Sequence, residues 1–504
     1  MRARRLAAAA AAVLAASVVS TTTAAADTGD ALPPRPAFNV GVHLTTGAKL
    51  APGLFLIDPH QTVPNLPSGP EIVDNRGRVV WYDQLPSGES ASNFRVQTYH
   101  GKPVLTWWQG SSDNPAFGAF ALGIGQGEDV MMDDHYRIIR TIPTTSEFTP
   151  DSHEFQLTPQ GNALITGYRL VPHVDLTSIG GSADGTVADS LAREVNLQTG
   201  KVLFTWSALA HVPLTDSHAL PLFGSSPWDF FHINSISEAP GGNILISARH
   251  MWALYDINPR TGDVVWTLGG KHSSFTLDPR AAFAWQHDPR FVSHDEIRLF
   301  DNEAGIPFEP VASQSRALWL HLDHRTHTAS AVRQIVQPSD QPESNSQGSV
   351  QTLPDGNVVV GWGSTGTFSE YDAAGQLLLS DTPPPPSGTV TLPTGATIPN
   401  AWSTYRAFKQ NWTAIPDTPP TASVHRDASG KYSVSAAWNG ATLVARWVVL
   451  TGPDTAHLQP TATADWNGLI TPISVTGADI AYIRVVAIDS HGDVLGQTDT
   501  IPTS

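Results

Sequence analysis

Three histidines of this sequence stand in closely similar settings: His153 in DSHEFQLTP, His232 in DFFHINSIS and His287 in AWQHDPRF. Each lies about ten residues ahead of an apolar, strand-like run, and Arg249 closes one such run, NILISARH. If those runs occupy equivalent places in a repeated architecture, three imidazoles and a guanidinium face one point. Such a cluster is an anion site, a metal site, or a nucleophile with its stabilisers. Neutral imidazole is a good nucleophile near pH 7 because its pKa lies close by. Arginine supplies fixed positive charge where oxygens gain negative charge. Three histidines could also bind zinc or copper, but an adjacent guanidinium repels a cation, and no HxH or HExxH spacing accompanies them. The expectation is a centre with neither metal nor cofactor.

The elements that position these residues repeat. A Gly- or Asp-containing turn followed by an apolar run begins at Asp74, Asp134, Asn196, Ile257, Asp323 and Tyr371. A second pattern, an apolar strand that often follows a Pro/Asp-Gly-Asn turn, precedes each copy: PGLFLID, GKPVLTWW, TPQGNALITGY, APGGNILISARH, DEIRLFDNE and LPDGNVVVGWG. A paired pattern recurring six times in order, with room for four strands per unit, predicts a six-bladed β-propeller over residues 38–415. The second-pattern strands are expected to be the innermost, with their polar ends (Arg249-His250, Asp301-Asn302-Glu303) at the central channel, since polar residues ending an apolar strand need a partner. STYRAF, from Ser403, is expected to return a last strand that closes the ring.

Composition agrees. Forty-one Gly, 40 Pro and 15% charged residues suit many short strands joined by turns. Residues 421–504, behind the stiff Asp417-Thr418-Pro419-Pro420 segment, hold about seven short alternating runs. They predict a small immunoglobulin- or fibronectin-like β-sandwich, an accessory domain with no candidate chemistry. The fold class is thus all-β throughout.

At the other end, Arg2, Arg4 and Arg5 precede an apolar, alanine-rich run and then Ala24-Ala25-Ala26, which reads as a signal peptide over residues 1–26. Secretion to the periplasm, cell surface or medium is expected, by the general or the twin-arginine route. No run approaches the length of a membrane span. The absence of Cys excludes disulfides and cysteine chemistry. The net charge of −17 argues against nucleic acid as a partner.

WDFFHINSISEAPGGNILISARH, then YDINPRTGDVVWTLGGK, then FAWQHDPRFVSHDEIRLFDNEAG resemble the bacterial arylsulfate sulfotransferase (arylsulfotransferase) family. APGLFLIDP, GRVVWYD and STYRAF extend the resemblance from Val40 to Trp412. It implies a six-bladed propeller and sulfuryl transfer from an aryl sulfate to a phenolic acceptor, with neither nucleotide donor nor metal. It implies that His287 is the nucleophile, forming a sulfohistidine, and that His232, Arg249 and His153 surround the sulfuryl group. Trp107, Trp108 and Trp362 are then candidates to stack on the aryl ring, with His250 and Asn234 as further substrate contacts. The alternative reading is a non-catalytic propeller that binds a sulfated ligand or glycan at the cell surface.

Overall fold

The computed structural model describes residues 28–503 except 63–65, 112–123, 144–147, 222–226, 305–310, 313, 339–342, 392–396 and 478–479. The expected signal peptide lies outside the described residues. Within them the protein is all-β, and no helix is long and apolar enough to cross a membrane.

Six antiparallel sheets follow one another along the chain. The first orders Trp402–Gln410, Leu54–Gln61, Glu71–Val73 and Val79–Tyr82, so a strand from late in the sequence pairs with one of the earliest. The second runs Ser90–Tyr99, Lys102–Ser111, Gln126–Met132, Ile138–Pro143, and the third Thr149–Leu157, Asn162–Val174, Gly185–Asn196, Val202–Ser207. The fourth is Ile233–Glu238, Ile244–Ala248, Ala253–Ile257, Val264–Gly269. The fifth starts with His287–Ser293, Glu296–Asp301, Arg316–Asp323 and Thr328–Val336, and the sixth with Ser349–Thr352 and Val358–Gly361. Each leading strand touches the leading strand of the next sheet, and that of the sixth touches Trp402–Gln410 of the first.

That arrangement corrects one expectation. The apolar second-pattern strands are second in every sheet, and the histidine-bearing segments are themselves innermost. The physical reason is crowding. Second strands lie between neighbouring sheets and are buried on both faces, so they read as continuous apolar runs. Leading strands converge where side chains meet those of other sheets, and they bond through polar groups instead. Ser235 Oγ donates to Glu154 Oε2 (3.1 Å), Asn234 Nδ2 to the Gln286 carbonyl (2.7 Å), and Val350 N–H to Asp288 Oδ2 (3.2 Å).

At the centre the buried Glu154 meets Arg95 (2.7 Å), Arg290 (2.6 Å) and Arg406 (2.9 Å). Asp288 meets Arg290 (3.0 Å), Arg298 (3.4 Å) and Arg406 (3.7 Å). Burial alone would raise the Glu154 carboxyl, but the three guanidiniums outweigh it and hold the group well below the usual range. Four arginines against two carboxylates leave the hub positive, and Glu154 and Asp288 directly follow His153 and His287 in the chain. The hub therefore pins the backbone on which both imidazoles sit.

Residues beyond 420 form two further sheets around their own hydrophobic cluster, which includes Val434, Trp447, Ile473 and Val485. Thr28–Gly29 pairs with Ser423 and Val424, so the start of the described chain joins this unit. The Asp417–Pro420 segment is tied on both sides: Asp417 pairs with Arg137, and the Trp438 indole donates to the Thr418 carbonyl (2.6 Å). The unit docks on the first two sheets. Gly440 N–H donates to Val80 O (2.9 Å), Tyr136 Oη to Gly440 O (2.8 Å), and Tyr82 N–H to Asn439 Oδ1 (3.0 Å).

Candidate active site

His153, His232 and His287 come from the leading strands of sheets three, four and five, or the residue just before, and all three are buried. The His153 and His232 rings lie edge to face with centroids 4.9 Å apart, and His232 is 4.6 Å from His250. The Tyr405 ring stands 5.7 Å from His153 and 6.5 Å from His287, between the two. His232 and Asp288 hold left-handed backbone (φ 53° and 51°), as do Trp285 (φ 60°) and Gln347 (φ 65°). Such φ values are uncommon outside glycine and here bend the chain where each side chain must turn inward.

The hydrogen bonds fix the protonation pattern of His287. Its Nε2 accepts the Gln347 N–H (3.1 Å), so that nitrogen carries a lone pair. The proton is then on Nδ1 and is donated to Asn302 Oδ1 (2.7 Å). Asn302 cannot present its other end, because Nδ2 donates to the carbonyls of Ser344 (2.9 Å) and Gln347 (3.1 Å). Burial, with Arg249 and the other imidazoles nearby, holds His287 well below the ordinary histidine value. It is a neutral imidazole of defined tautomer with its nucleophilic nitrogen facing the Gln347 amide.

His232 is arranged differently. Its Nδ1 meets Asp229 Oδ2 at 2.5 Å and its backbone N–H donates to Asp229 Oδ1 (3.0 Å). Burial, His153 and Arg249 push its pKa well below the ordinary value. His153 Nδ1 lies 3.1 Å from Asp151 Oδ2, and its backbone N–H donates to the same carboxylate (2.8 Å).

Arg249 lies over the Trp285 ring at 4.9 Å, and its Nη2 donates to Asn345 O (3.0 Å). Burial lowers its pKa to about 10, with Asp229 acting the other way, so it remains a cation at neutral pH. Its Nη1 meets His250 Nε2 at 3.0 Å, while His250 Nδ1 donates to the Asp229 carbonyl (2.7 Å). Both His250 ring nitrogens are thus taken up within the protein, one by Arg249 and one by the Asp229 carbonyl, which corrects its expected role as a substrate contact. Asn234 is buried, with Nδ2 bound to Gln286 O and Oδ1 lacking a partner.

The tryptophans require a second correction. Trp107, Trp108 and Trp362 are buried, at 0%, 2% and 0% exposure. Trp107 packs against Trp81 and Phe94, Trp362 against Phe300, and Trp108 fills the space above Gly125 and Gly127. Their faces are occupied by protein, so none is open to an aryl ring. The sequence reading missed Asp229 and Tyr405 as site residues, and placed Asn302 at the channel without a role. The Asp-x-His and Asp-x-x-His spacings at Asp151-His153 and Asp229-His232 were the available signal for the carboxylates. For Tyr405 the signal was the STYRAF block itself, which was read as a closing strand and not as part of the site.

Asp229, His232 and His250 bring donor atoms close enough together to raise the question of a metal ion. The chemistry of the set argues against one. Both His250 nitrogens are used, and Arg249 occupies the side a cation would approach.

The centre therefore combines imidazole lone pairs with a buried cation above a positive hub, a site class suited to an anionic group undergoing transfer. A family model described as arylsulfotransferase (ASST) matches residues 95–382, more than half of the chain, and the chain belongs to that family. No curated protein matches it. Among solved structures it is similar to the periplasmic gluconolactonase of Pseudomonas aeruginosa, with 10% identity, TM-score 0.35, and coverage of 84% of this chain and 99% of that one. It is also similar to a virginiamycin B lyase of Staphylococcus aureus, with 8% identity, TM-score 0.34, and coverage of 77% and 96%.

Proposed function

We propose that this chain is an exported arylsulfate sulfotransferase whose six sheets are the blades of a β-propeller, with the C-terminal unit a β-sandwich. It moves a sulfuryl group from an aryl sulfate to a phenol without a nucleotide donor. The observation that carries the reading is the fixed tautomer of His287, whose Nδ1–H is committed to Asn302 and whose lone pair is on Nε2.

In the first half-reaction the Nε2 pair leaves the Gln347 N–H and attacks sulfur. The N–S bond forms, the S–O(aryl) bond breaks, and its electron pair departs on the phenolate. Arg249 stabilises the sulfuryl oxygens as their charge redistributes. In the second half, the acceptor phenol oxygen attacks sulfur, the N–S pair returns to Nε2, and the phenol proton passes to His232, whose imidazolium Asp229 supports. That proton goes to the phenolate released in the next cycle. The positive hub beneath favours the anionic substrate over water. Export is supported by the basic-then-apolar leader.

Purified protein incubated with 4-nitrophenyl sulfate is expected to release nitrophenol in a phenol-dependent manner. Phenol-independent release would indicate a sulfatase, and binding without release the non-catalytic alternative. With donor alone, intact-mass analysis should show an acid-labile adduct of about 80 Da on an imidazole nucleophile. The adduct should map to the peptide holding His287 and disappear on adding phenol. His287→Asn should abolish transfer, whereas His232→Asn should retain turnover reduced by about two to three orders of magnitude. An adduct on His232 or His153 would refute the choice of nucleophile.

A further inference from the structure

The opposite end of the fifth sheet gathers a second set of histidines. His294 and Asp295 sit in the turn between His287–Ser293 and Glu296–Asp301. His321, His324 and His327 follow at three-residue intervals around the turn between Arg316–Asp323 and Thr328–Val336. The two turns are locked side by side: Leu322 N–H donates to Asp295 O (2.8 Å), and His321 is the cross-strand partner of Glu296. Asp323 Oδ1 accepts the N–H groups of Arg325 and Thr326 (2.9 Å each), which fixes the second turn.

Three donor atoms converge there. His294 Nδ1 lies 2.5 Å from Asp295 Oδ1, and His324 Nε2 lies 3.8 Å from the same oxygen. The His294 and His324 rings are 5.6 Å apart. His324 Nε2 is buried and lacks a hydrogen-bond partner, although its ring is wedged against Phe275 at 5.5 Å. A buried, unpaired ring nitrogen facing a carboxylate oxygen needs a proton or a cation between them. Ligands about 2.0–2.1 Å from a tetrahedral ion stand about 3.3 Å apart, so 2.5 and 3.8 Å become metal-bridged distances by shifts of under about an ångström.

We propose that His294, Asp295 and His324 form a binding site for a divalent transition ion, with Zn2+ as the best-matched class. Two imidazoles and one carboxylate are a borderline donor set that suits zinc, whereas Mg2+ and Ca2+ require mostly oxygen. The fourth position is open to water or to His321. Unlike the Asp229 group, no arginine among the described residues bonds to these donors, and Asp295 carries the negative charge that a cation would neutralise. Seven residues of extended chain from His287 to His294 span roughly 20 Å, so the ion cannot join chemistry at the centre. It would clamp two turns at the end of the fifth sheet away from His287, independently of the reaction proposed above.

The test uses untagged, full-length protein freed of metal and titrated calorimetrically with ZnCl2, with MgCl2 as control. One saturable zinc site of micromolar Kd is expected, weakened at least tenfold by His294→Ala and by His324→Ala but not by His232→Ala. Cobalt substitution should give a four-coordinate visible spectrum that those two variants lose, and their far-UV circular dichroism should match wild type. Absence of saturable zinc binding would overturn the site, as would binding that both variants leave intact. Zinc binding lost only in His232→Ala would place the ion at the centre instead and refute the proposal.

Discussion

Asn302→Leu is the most informative single change at this centre. Leucine keeps the Cγ branching of asparagine, though it is larger, and offers His287 no acceptor; Asn302 is fully buried, so water does not replace the lost oxygen. The bond at stake is the 2.7 Å contact from Nδ1–H. When Nε2 takes the sulfuryl group the ring gains positive character, and Nδ1–H becomes a charge-assisted donor. Hydrogen bonds to charged groups contribute about 1.5–3 kcal/mol, which at 1.36 kcal/mol per tenfold is roughly a 10- to 150-fold loss in kcat. The carbonyls of Ser344 and Gln347 also lose their donor, so some stability is lost and rates must be normalised to the folded fraction. The assay is phenol-dependent release of nitrophenol, with 15N shifts of the His287 ring reporting the tautomer. A folded Asn302→Leu protein with kcat within about threefold of wild type would refute the reasoning, because a neutral bond contributes only about 0.5–1.5 kcal/mol and even that would be missing. Asn302→Asp supplies the complementary sign. A carboxylate beside Nδ1 stabilises imidazolium and raises the His287 pKa, so the acid limb of kcat/KM should move to higher pH.

Three further outcomes are expected. His232, His250 and His287 are all held well below the ordinary value by burial first, so the folded protein keeps them neutral as pH falls through about 6.5 while the unfolded chain takes up protons. Stability should therefore drop from pH 7 to pH 5, read as a falling urea midpoint, and a midpoint that rises over this window would contradict the burial of neutral imidazoles. Glu154→Gln leaves the buried Arg95 without a carboxylate and Arg290 and Arg406 with Asp288 alone, and should cost about 3–5 kcal/mol, measured by urea denaturation. Gly440→Ala places a Cβ 2.4 Å from the Tyr136 ring at φ +94°, so the C-terminal unit should undock. Limited proteolysis should then release that unit near Asp417, while turnover per folded molecule stays close to wild type.

Much of the fold was legible in the sequence because second strands, buried on both faces, must be apolar, and their turns must carry Gly, Asp or Asn. Six such runs predicted six sheets in order, and the late STYRAF run was read as a returning last strand; in the structure it pairs with Leu54–Gln61. The candidate histidines were legible too, since each lies at the same place in its unit. What escaped was that the leading strands form the inner layer. SASNFRVQTY, for one, carries no strong apolar pattern, because its side chains bond to other sheets rather than to a hydrophobic neighbour. Tertiary structure alone put Tyr405 between His153 and His287, aimed Asn302 at Nδ1, and closed Trp107, Trp108 and Trp362 inside packed clusters. Residue type and spacing determined which groups could react. The tautomer, the charge and the open face of each were decided by contacts between strands far apart in the chain, such as Asp58 with Thr404, 346 residues away, and no local pattern encodes contacts of that range.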